Sequence, residues 1–380
     1  MKAVLTALAT ANPRRYATQR EVCAFFETHF AMESEERKLY RELLLEGPIH
    51  GRHIAVDEDE EICSQDPDSL IGRFERHGRR IAAAAARKAM DQAGLAADQI
   101  EGLIVNTCTG YLCPGLSSYL IEDLALPAHV SVLDLMGMGC GGAIPNLEAG
   151  CRMIQSGARA TVLCLSVEIC SATFFRGPEP DLIVSNSIFA DGASAAVLQA
   201  NLNGDLVRSV PVRAYLQSGE DKITPCGVTT NKSPQALVRF LDFESVTLPE
   251  HRDKLRYTTQ GGRLRNVLTR CVPVIGAKAV AQVTQRLLTR HNLTPKDIRH
   301  WVIHPGGTQV LTAVERHLDL SPEKLRPSYE IFRDYGNMSS PSVMFVLDKV
   351  LREARPQPGD KALLIAFGAG FTAFAALVEC

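Results

Sequence analysis

The chain is 380 residues long, 46% hydrophobic and 22% charged, with a formal net charge of −2. That composition builds a globular protein of one large or two fused domains and excludes a disordered chain. The near-neutral balance and scattered basic residues point away from nucleic acid, and no apolar run reaches membrane-spanning length.

The N-terminus, Met1–Pro13, has no charged lead with a long apolar core, so no signal peptide is expected. Eleven cysteines, an odd number set mostly in apolar stretches such as those of Cys108, Cys164 and Cys170, suit free thiols in a reducing cytoplasm. There is no Cys-x-x-Cys and no His-x-x-x-His pair on a predicted helix, so no zinc or other metal site is expected.

Residues 2–10 read as a first strand. Arg20–Glu46 is a charged amphipathic helical stretch that holds Arg37, Lys38 and Arg41. The acidic run Asp57–Glu61 reads as a solvated face or loop. Ile81–Ala93 is an alanine-rich helix ended by Gly94, and Ile104–Thr107 a short buried strand. Next, an apolar run (Val130–Met136) leads into Gly139-Cys140-Gly141-Gly142 and an amphipathic stretch (Ile144–Ile154), a strand, glycine turn and helix. A strand at Thr161–Ser166, the loop Arg176-Gly-Pro178, and Phe189-Ala-Asp-Gly192 before a strand at Ser194–Leu198 follow. Residues 201–262 are polar and turn-rich, with strands expected at Val207–Gln217 and Val238–Phe243.

From residue 275 the order repeats. The run Gly94-Leu-Ala-Ala-Asp-Gln-Ile100 before the strand Leu103–Thr107 is matched by Asn292-Leu-Thr-Pro-Lys-Asp-Ile298 before His300–His304, an offset of 198 residues from Ile100 to Ile298. The same offset carries Cys140 to a position beside Asn337, in a second glycine-containing turn before a helix, and Ala160–Ser166 corresponds roughly to Lys361–Phe367. We read an internal duplication: an N-terminal half, residues 1–225, and a C-terminal half, residues 226–380. Two such α/β halves, face to face, should bring Cys140, His304 and Asn337 to one site at the carboxyl ends of their strands.

Each of the three has a plain structural reading: a buried thiol, a satisfied histidine at a strand end, a helix N-cap. Together they suggest chemistry. A thiol at the start of a helix faces its positive end, which favours thiolate, and an imidazolium nearby would hold it so. Histidine and asparagine can donate to one carbonyl oxygen and hold a developing enolate. Cysteine, histidine and asparagine also form a protease triad, but the duplicated α/β pattern argues against that fold.

Six motifs extend the reading: Gly139-Cys-Gly-Gly142, Arg176-Gly-Pro178, Phe189-Ala-Asp-Gly-Ala193, Ile303-His-Pro-Gly-Gly307, Tyr335-Gly-Asn-Met-Ser-Ser340 and Phe367-Gly-Ala-Gly-Phe371. In that order and spacing the whole chain resembles the type III polyketide synthases, the chalcone-synthase-like enzymes of the thiolase superfamily. The resemblance implies a five-layered αβαβα fold and a homodimer. It implies that Cys140 takes an acyl group from a coenzyme A thioester, while His304 and Asn337 bind the carbonyl of malonyl-CoA. Decarboxylation then gives an enolate that attacks the acyl thioester, and the chain grows by rounds of this Claisen condensation before it cyclises. No cofactor beyond the CoA thioesters is implied.

For the pocket, the resemblance implies a gatekeeper role for Phe189, whose plain reading is a core residue, and places polar Asn266 where the family has a second gatekeeper phenylalanine. Cys108 falls at a cavity-lining position and Cys113 at one that reaches across the dimer interface. Gly370 and Phe371 lie by a turn that carries Ala369 in place of the family's proline. Arg37, Lys38 and Arg41, with Gly306 and Gly307, are the candidates for coenzyme A; an exposed helix face is the other reading of the basic three. An apolar cavity and the polar second gate lean towards a fatty-acyl starter and an alkylresorcinol or alkylpyrone product. A malonyl or other small starter, giving a phloroglucinol- or tetrahydroxynaphthalene-type product, is the alternative. A ketoacyl-synthase-III-like enzyme served by an acyl carrier protein, and a non-catalytic relative, are the rivals from other classes.

Overall fold

In the computed structural model, which describes residues 1–202, 205–206 and 236–380, a ten-stranded mixed sheet runs the length of the molecule. In spatial order its strands are Ser131–Leu135, Gly102–Asn106, Thr161–Ile169, Asp191–Leu202, Lys2–Ala11, Val238–Thr247, Thr372–Glu379, Lys361–Gly368 and His300–Ile303, with Asp205–Leu206 attached to Asp191–Leu202.

The order is a palindrome in kind. In the first half, Gly102–Asn106 lies parallel to Thr161–Ile169, which is antiparallel to Asp191–Leu202, itself antiparallel to Lys2–Ala11. In the second, His300–Ile303 lies parallel to Lys361–Gly368, then Thr372–Glu379 and Val238–Thr247 follow antiparallel. The halves join where Val4 pairs Arg239 and Leu5 pairs Val238. The duplication read from sequence is thus present in three dimensions, down to the single turns Ala97–Gln99 and Pro295–Asp297 before equivalent strands. The divide drawn at residues 225 and 226, and the strand expected at Val207–Gln217, lie outside the described residues.

Burial explains the layers. Ala143–Gln155 and Ser342–Lys349 sit back to back, and one core holds Ile144, Leu147, Val343 and Met344 together with strand residues of both halves. The first half-sheet turns its other face to Pro67–Ala93, the second to Val272–Arg290. Helix, half-sheet, central helices, half-sheet, helix make five layers. Thr161–Ile169 is buried along its whole length, as a strand covered on both faces must be.

Three boundaries differ from expectation. The stretch 20–46 is two helices, Gln19–His29 and Ser34–Arg41, followed by a wider-wound turn, Glu42–Glu46. The alanine-rich helix starts at Pro67 rather than Ile81, because Asp66 caps it by accepting from the Ser69 N–H and its charged first half hides the apolar stripe. The acidic run is a solvated face, with Asp57, Glu58 and Glu60 exposed, but it continues into a single helical turn, Asp59–Cys63, and carries ion pairs of Asp57 and Glu61 with Arg76 and of Asp59 with Arg15. Among the described residues no helix is long and apolar enough to cross a membrane, and the described cysteines are all free thiols.

Candidate active site

Cys140 lies in a single turn, Gly139–Gly141, between the strand Ser131–Leu135 and the helix Ala143–Gln155. The turn is pressed against the end of the other half. Gly139 has φ +56°, and a Cβ on it would stand 2.8 Å from the Ala369 nitrogen; one on Gly141 would stand 2.6 Å from the Phe374 ring. Only glycines let the loop 368–370 come this close to the nucleophile turn.

The counterpart turn carries Asn337, which is 3% exposed. Its Oδ1 accepts from the Ser339 N–H at 2.8 Å, so the amide is oriented with Nδ2 as its donor edge, and Nδ2 donates to the Gly306 carbonyl at 3.3 Å. Gly306 in turn lies against the His304 ring, where a Cβ would meet Nε2 at 3.5 Å. His304 is 1% exposed, is fixed by its N–H donating to the Ile365 carbonyl at 2.8 Å, and packs edge to face on Phe367. Ser339 closes the circle: its hydroxyl donates to the Cys140 sulfur at 3.3 Å and lies 3.5 Å from the Cys108 sulfur. Cys140, His304 and Asn337 therefore meet, through Ser339 and Gly306, at the junction of the halves.

Behind them is a carboxylate that sequence reasoning passed over. Glu168 is fully buried and accepts from the Ser340 hydroxyl at 2.6 Å, the Thr109 hydroxyl and Cys108 N–H at 2.9 Å each, and the Cys108 thiol at 3.3 Å. Burial raises its pKa, and the hydrogen bonds pull the other way.

Burial works against the expected thiolate. Burial pushes the Cys140 thiol up to about 12, against which the Ser339 hydrogen bond and its own N–H act only in part, and the nearby Glu168 raises it further. Burial likewise holds His304 down at about 3. Both shifts favour the neutral thiol and the neutral imidazole and oppose the pull of the helix start. The buried Nδ1 of His304 has no partner. An unpaired acceptor is cheaper than an unpaired N–H, so we place the ring proton on Nε2, beside the site.

The remaining candidates are spread more widely. Phe189 and Asn266 line one cavity of about 280 Å³ with Val22, Phe26, Thr173 and Phe174. Asn266 accepts from the Ser185 hydroxyl at 2.9 Å. Cys108 is in the site. Cys113 is exposed on the surface loop that holds Tyr111. Phe371 is fully buried and stacks on Phe367, so it supports His304 from behind rather than facing a substrate; Gly370 precedes it in the turn. Arg37, Lys38 and Arg41 do line a common surface cleft, but with Glu42 and Glu46, and Arg41 is already paired with Glu27 at 2.5 Å. Gly307 begins the helix Thr308–Leu318. No cluster of three or more metal-binding side chains occurs among the described residues.

Sequence reasoning also missed Tyr257, which pairs with Asn266 across the ribbon Leu255–Gln260 and Arg263–Leu268. Its hydroxyl is 3.3 Å from the Thr173 hydroxyl. Burial, with Cys170, Cys108 and Cys140 close enough to act on it, raises its phenol well above the ordinary value. Its hydroxyl thus adjoins Thr173, a wall residue of the cavity. Its only signal was an aromatic in a polar, turn-rich stretch.

A duplicated α/β sheet with a cysteine, a histidine and an asparagine at its junction is the architecture of carbon–carbon condensing enzymes. Residues 23–210 match the family model "FAE1/Type III polyketide synthase-like protein", and residues 245–380 match "Chalcone and stilbene synthases, C-terminal domain". The chain is 32% identical to 3,5-dihydroxyphenylacetyl-CoA synthase of Streptomyces toyocaensis, over 99% of this chain and 89% of the relative. It is 28% identical to phloroglucinol synthase of Pseudomonas fluorescens, over 97% and 96%. The crystal structure of 1,3,6,8-tetrahydroxynaphthalene synthase from Streptomyces coelicolor superposes with a TM-score of 0.82 at 22% identity, over 99% of each chain. The chain belongs to the type III polyketide synthases, acyltransferases that form carbon–carbon bonds.

Proposed function

We propose that this synthase builds its product from malonyl-CoA on a small starter held at Cys140. The observation that carries the size of the starter is Tyr257. On the route we propose, a long acyl chain leaving Cys140 for the apolar cavity meets the phenol whose hydroxyl is 3.3 Å from that of Thr173, a wall residue. The relatives above carry the names of synthases of compact phenolic products.

In the reaction we propose, the Cys140 sulfur attacks the starter thioester. Its proton goes to the departing CoA sulfur, which leaves as the free thiol. Malonyl-CoA then binds with its thioester oxygen facing His304 Nε2–H and Asn337 Nδ2–H. The carboxylate leaves as CO₂, and the electron pair of that bond becomes an enolate whose oxygen takes both hydrogen bonds. The enolate carbon attacks the acyl thioester and expels the Cys140 sulfur. Neutral donors suit this step, because they strengthen as charge develops on the oxygen and hold no charge beforehand.

Arg37 and Lys38 are the cations we assign to the coenzyme A phosphates, with Gly306 and Gly307 along the pantetheine arm. We also assign a homodimer through the sheet edge at Ser131–Leu135, where Val132 is 48% exposed and Tyr111 on the adjoining loop 68%. Cys113 lies on that loop.

A second reading, a fatty-acyl starter with an alkylresorcinol or alkylpyrone product, is favoured by the 280 Å³ cavity itself, whose walls include Val22, Phe25, Phe26, Val56 and Leu182. Purified protein given malonyl-CoA alone, and with acyl-CoA starters from acetyl to stearoyl, separates the two by product mass. Products from malonyl-CoA alone or short starters support the first reading; products only with long starters support the second.

A further inference from the structure

We infer that Arg52 is a positioning residue for the condensation: its guanidinium fixes the Phe189 peptide against the Asn337 peptide and so sets where the Asn337 amide points. This rests on the reading that Asn337 holds the malonyl thioester oxygen.

Arg52 lies on Gly51–Ile54, a strand of a separate two-stranded ribbon, and is 3% exposed. Its Nη1 donates to the Asn186 carbonyl at 2.8 Å and the Phe189 carbonyl at 2.5 Å, and its Nε to Gln19 Oε1 at 2.9 Å. Gln19 Nε2 donates to the Ser187 carbonyl at 2.9 Å. Arginine and glutamine thus hold the carbonyls of residues 186, 187 and 189, where the helix Pro180–Ile188 ends. A cation belongs at that end of a helix dipole, and the planar fork fixes direction as a lysine cannot.

The held segment is stitched to the catalytic turn. Phe189 forms a parallel bridge with Asn337, in which the Ala190 N–H donates to the Asn337 carbonyl at 2.9 Å and the Asn337 N–H to the Ile188 carbonyl at 2.8 Å. The Arg52 stem lies under Gly336, where a Cβ would come within 3.0 Å of Arg52 Cγ. The Asn337 side chain is tied to its own turn through Ser339, so it moves with its backbone. Burying a guanidinium is costly, and an apolar side chain could fill the same volume. The hydrogen bonds of this one go to backbone carbonyls and an amide oxygen, and Asp191 nearby is engaged by the Ala55 and Ser171 N–H groups. Its charge is spent on placing a peptide, one peptide away from the catalytic amide.

The test uses Arg52→Gln and Arg52→Lys in the full chain, each checked for folding by thermal unfolding, with two rates measured: acylation of Cys140 by an acyl-CoA, and decarboxylation of malonyl-CoA. The Gln variant is expected to slow decarboxylation about tenfold or more while acylation stays within about twofold, with Lys in between. In an Asn337→Ala background, Arg52→Gln should add less than about twofold, because both act through one group. Equal loss of both rates, or losses that multiply in the double variant, would overturn the inference. If Asn337→Ala itself leaves decarboxylation intact, it is the role of Asn337 that fails. Should the Gln variant not fold, Gln19→Leu removes the brace alone and must show the same split, smaller in size; no split there counts against the inference.

Discussion

Acid should destabilise this protein through His304 among other groups; His53 and His77, also lowered by burial, act in the same direction. In the unfolded chain a histidine takes up a proton below its ordinary pKa of 6.5, whereas burial keeps His304 neutral down to about 3. Between those values the unfolded state binds more protons, so stability falls as pH falls. Each pH unit below the unfolded value costs about 1.4 kcal/mol, or about 2 kcal/mol by about pH 5. Glu168 and Asp191 act in the opposite direction, since burial raises their pKa values and the folded state binds the extra proton. His304→Gln isolates the histidine. Urea unfolding of both proteins at about pH 7.5 and about pH 5 should show the stability difference, wild type minus variant, shrinking by about 2 kcal/mol on acidification. A difference that does not change with pH would mean that His304 titrates as in water, and the neutral resting pair would be wrong.

Three further outcomes follow from the site. Tyr257→Ala should extend the accepted starters towards longer acyl-CoAs while Tyr257→Phe leaves the range unchanged, read by product mass across a starter panel; an unchanged range in the Ala variant removes Tyr257 as the barrier. Ser339→Ala deletes the 3.3 Å hydrogen bond to the Cys140 sulfur, a bond worth about 0.5–1.5 kcal/mol. Iodoacetamide should therefore alkylate Cys140 some threefold to tenfold more slowly (about), and an equal or faster rate contradicts the assignment. Gly336→Ala places a Cβ 2.8 Å from the Ile188 carbonyl at a φ of +71°, a strain of about 1–3 kcal/mol. It should lose malonyl-CoA decarboxylation before it loses Cys140 acylation, measured as the two separate rates.

The catalytic trio was legible in the chain because each member stands at the end of a repeated element beside glycine, and the 198-residue offset from Ile100 to Ile298 links the two turns. Glu168 was not. It is the one carboxylate in the apolar run Val162–Ile169, and nothing local tells a buried hydrogen-bond hub from a strand-end charge. The push on the Cys140 thiol was hidden for a related reason: a helix start is visible in a motif, but the burial that opposes it is not. Tyr257 and Arg52 act across ribbons whose register no periodicity reveals. Phe371 looked like pocket wall because its motif neighbours the site, yet its ring stacks on Phe367 in the core.

The central claim is that the acyl starter is carried on Cys140. Intact-protein and peptide mass spectrometry after brief incubation with malonyl-CoA and a short acyl-CoA test it directly. The account predicts an acyl adduct on the peptide that contains Cys140, absent from Cys140→Ala together with all product. An adduct on Cys108 instead, or product formed at the normal rate by Cys140→Ala, would contradict it.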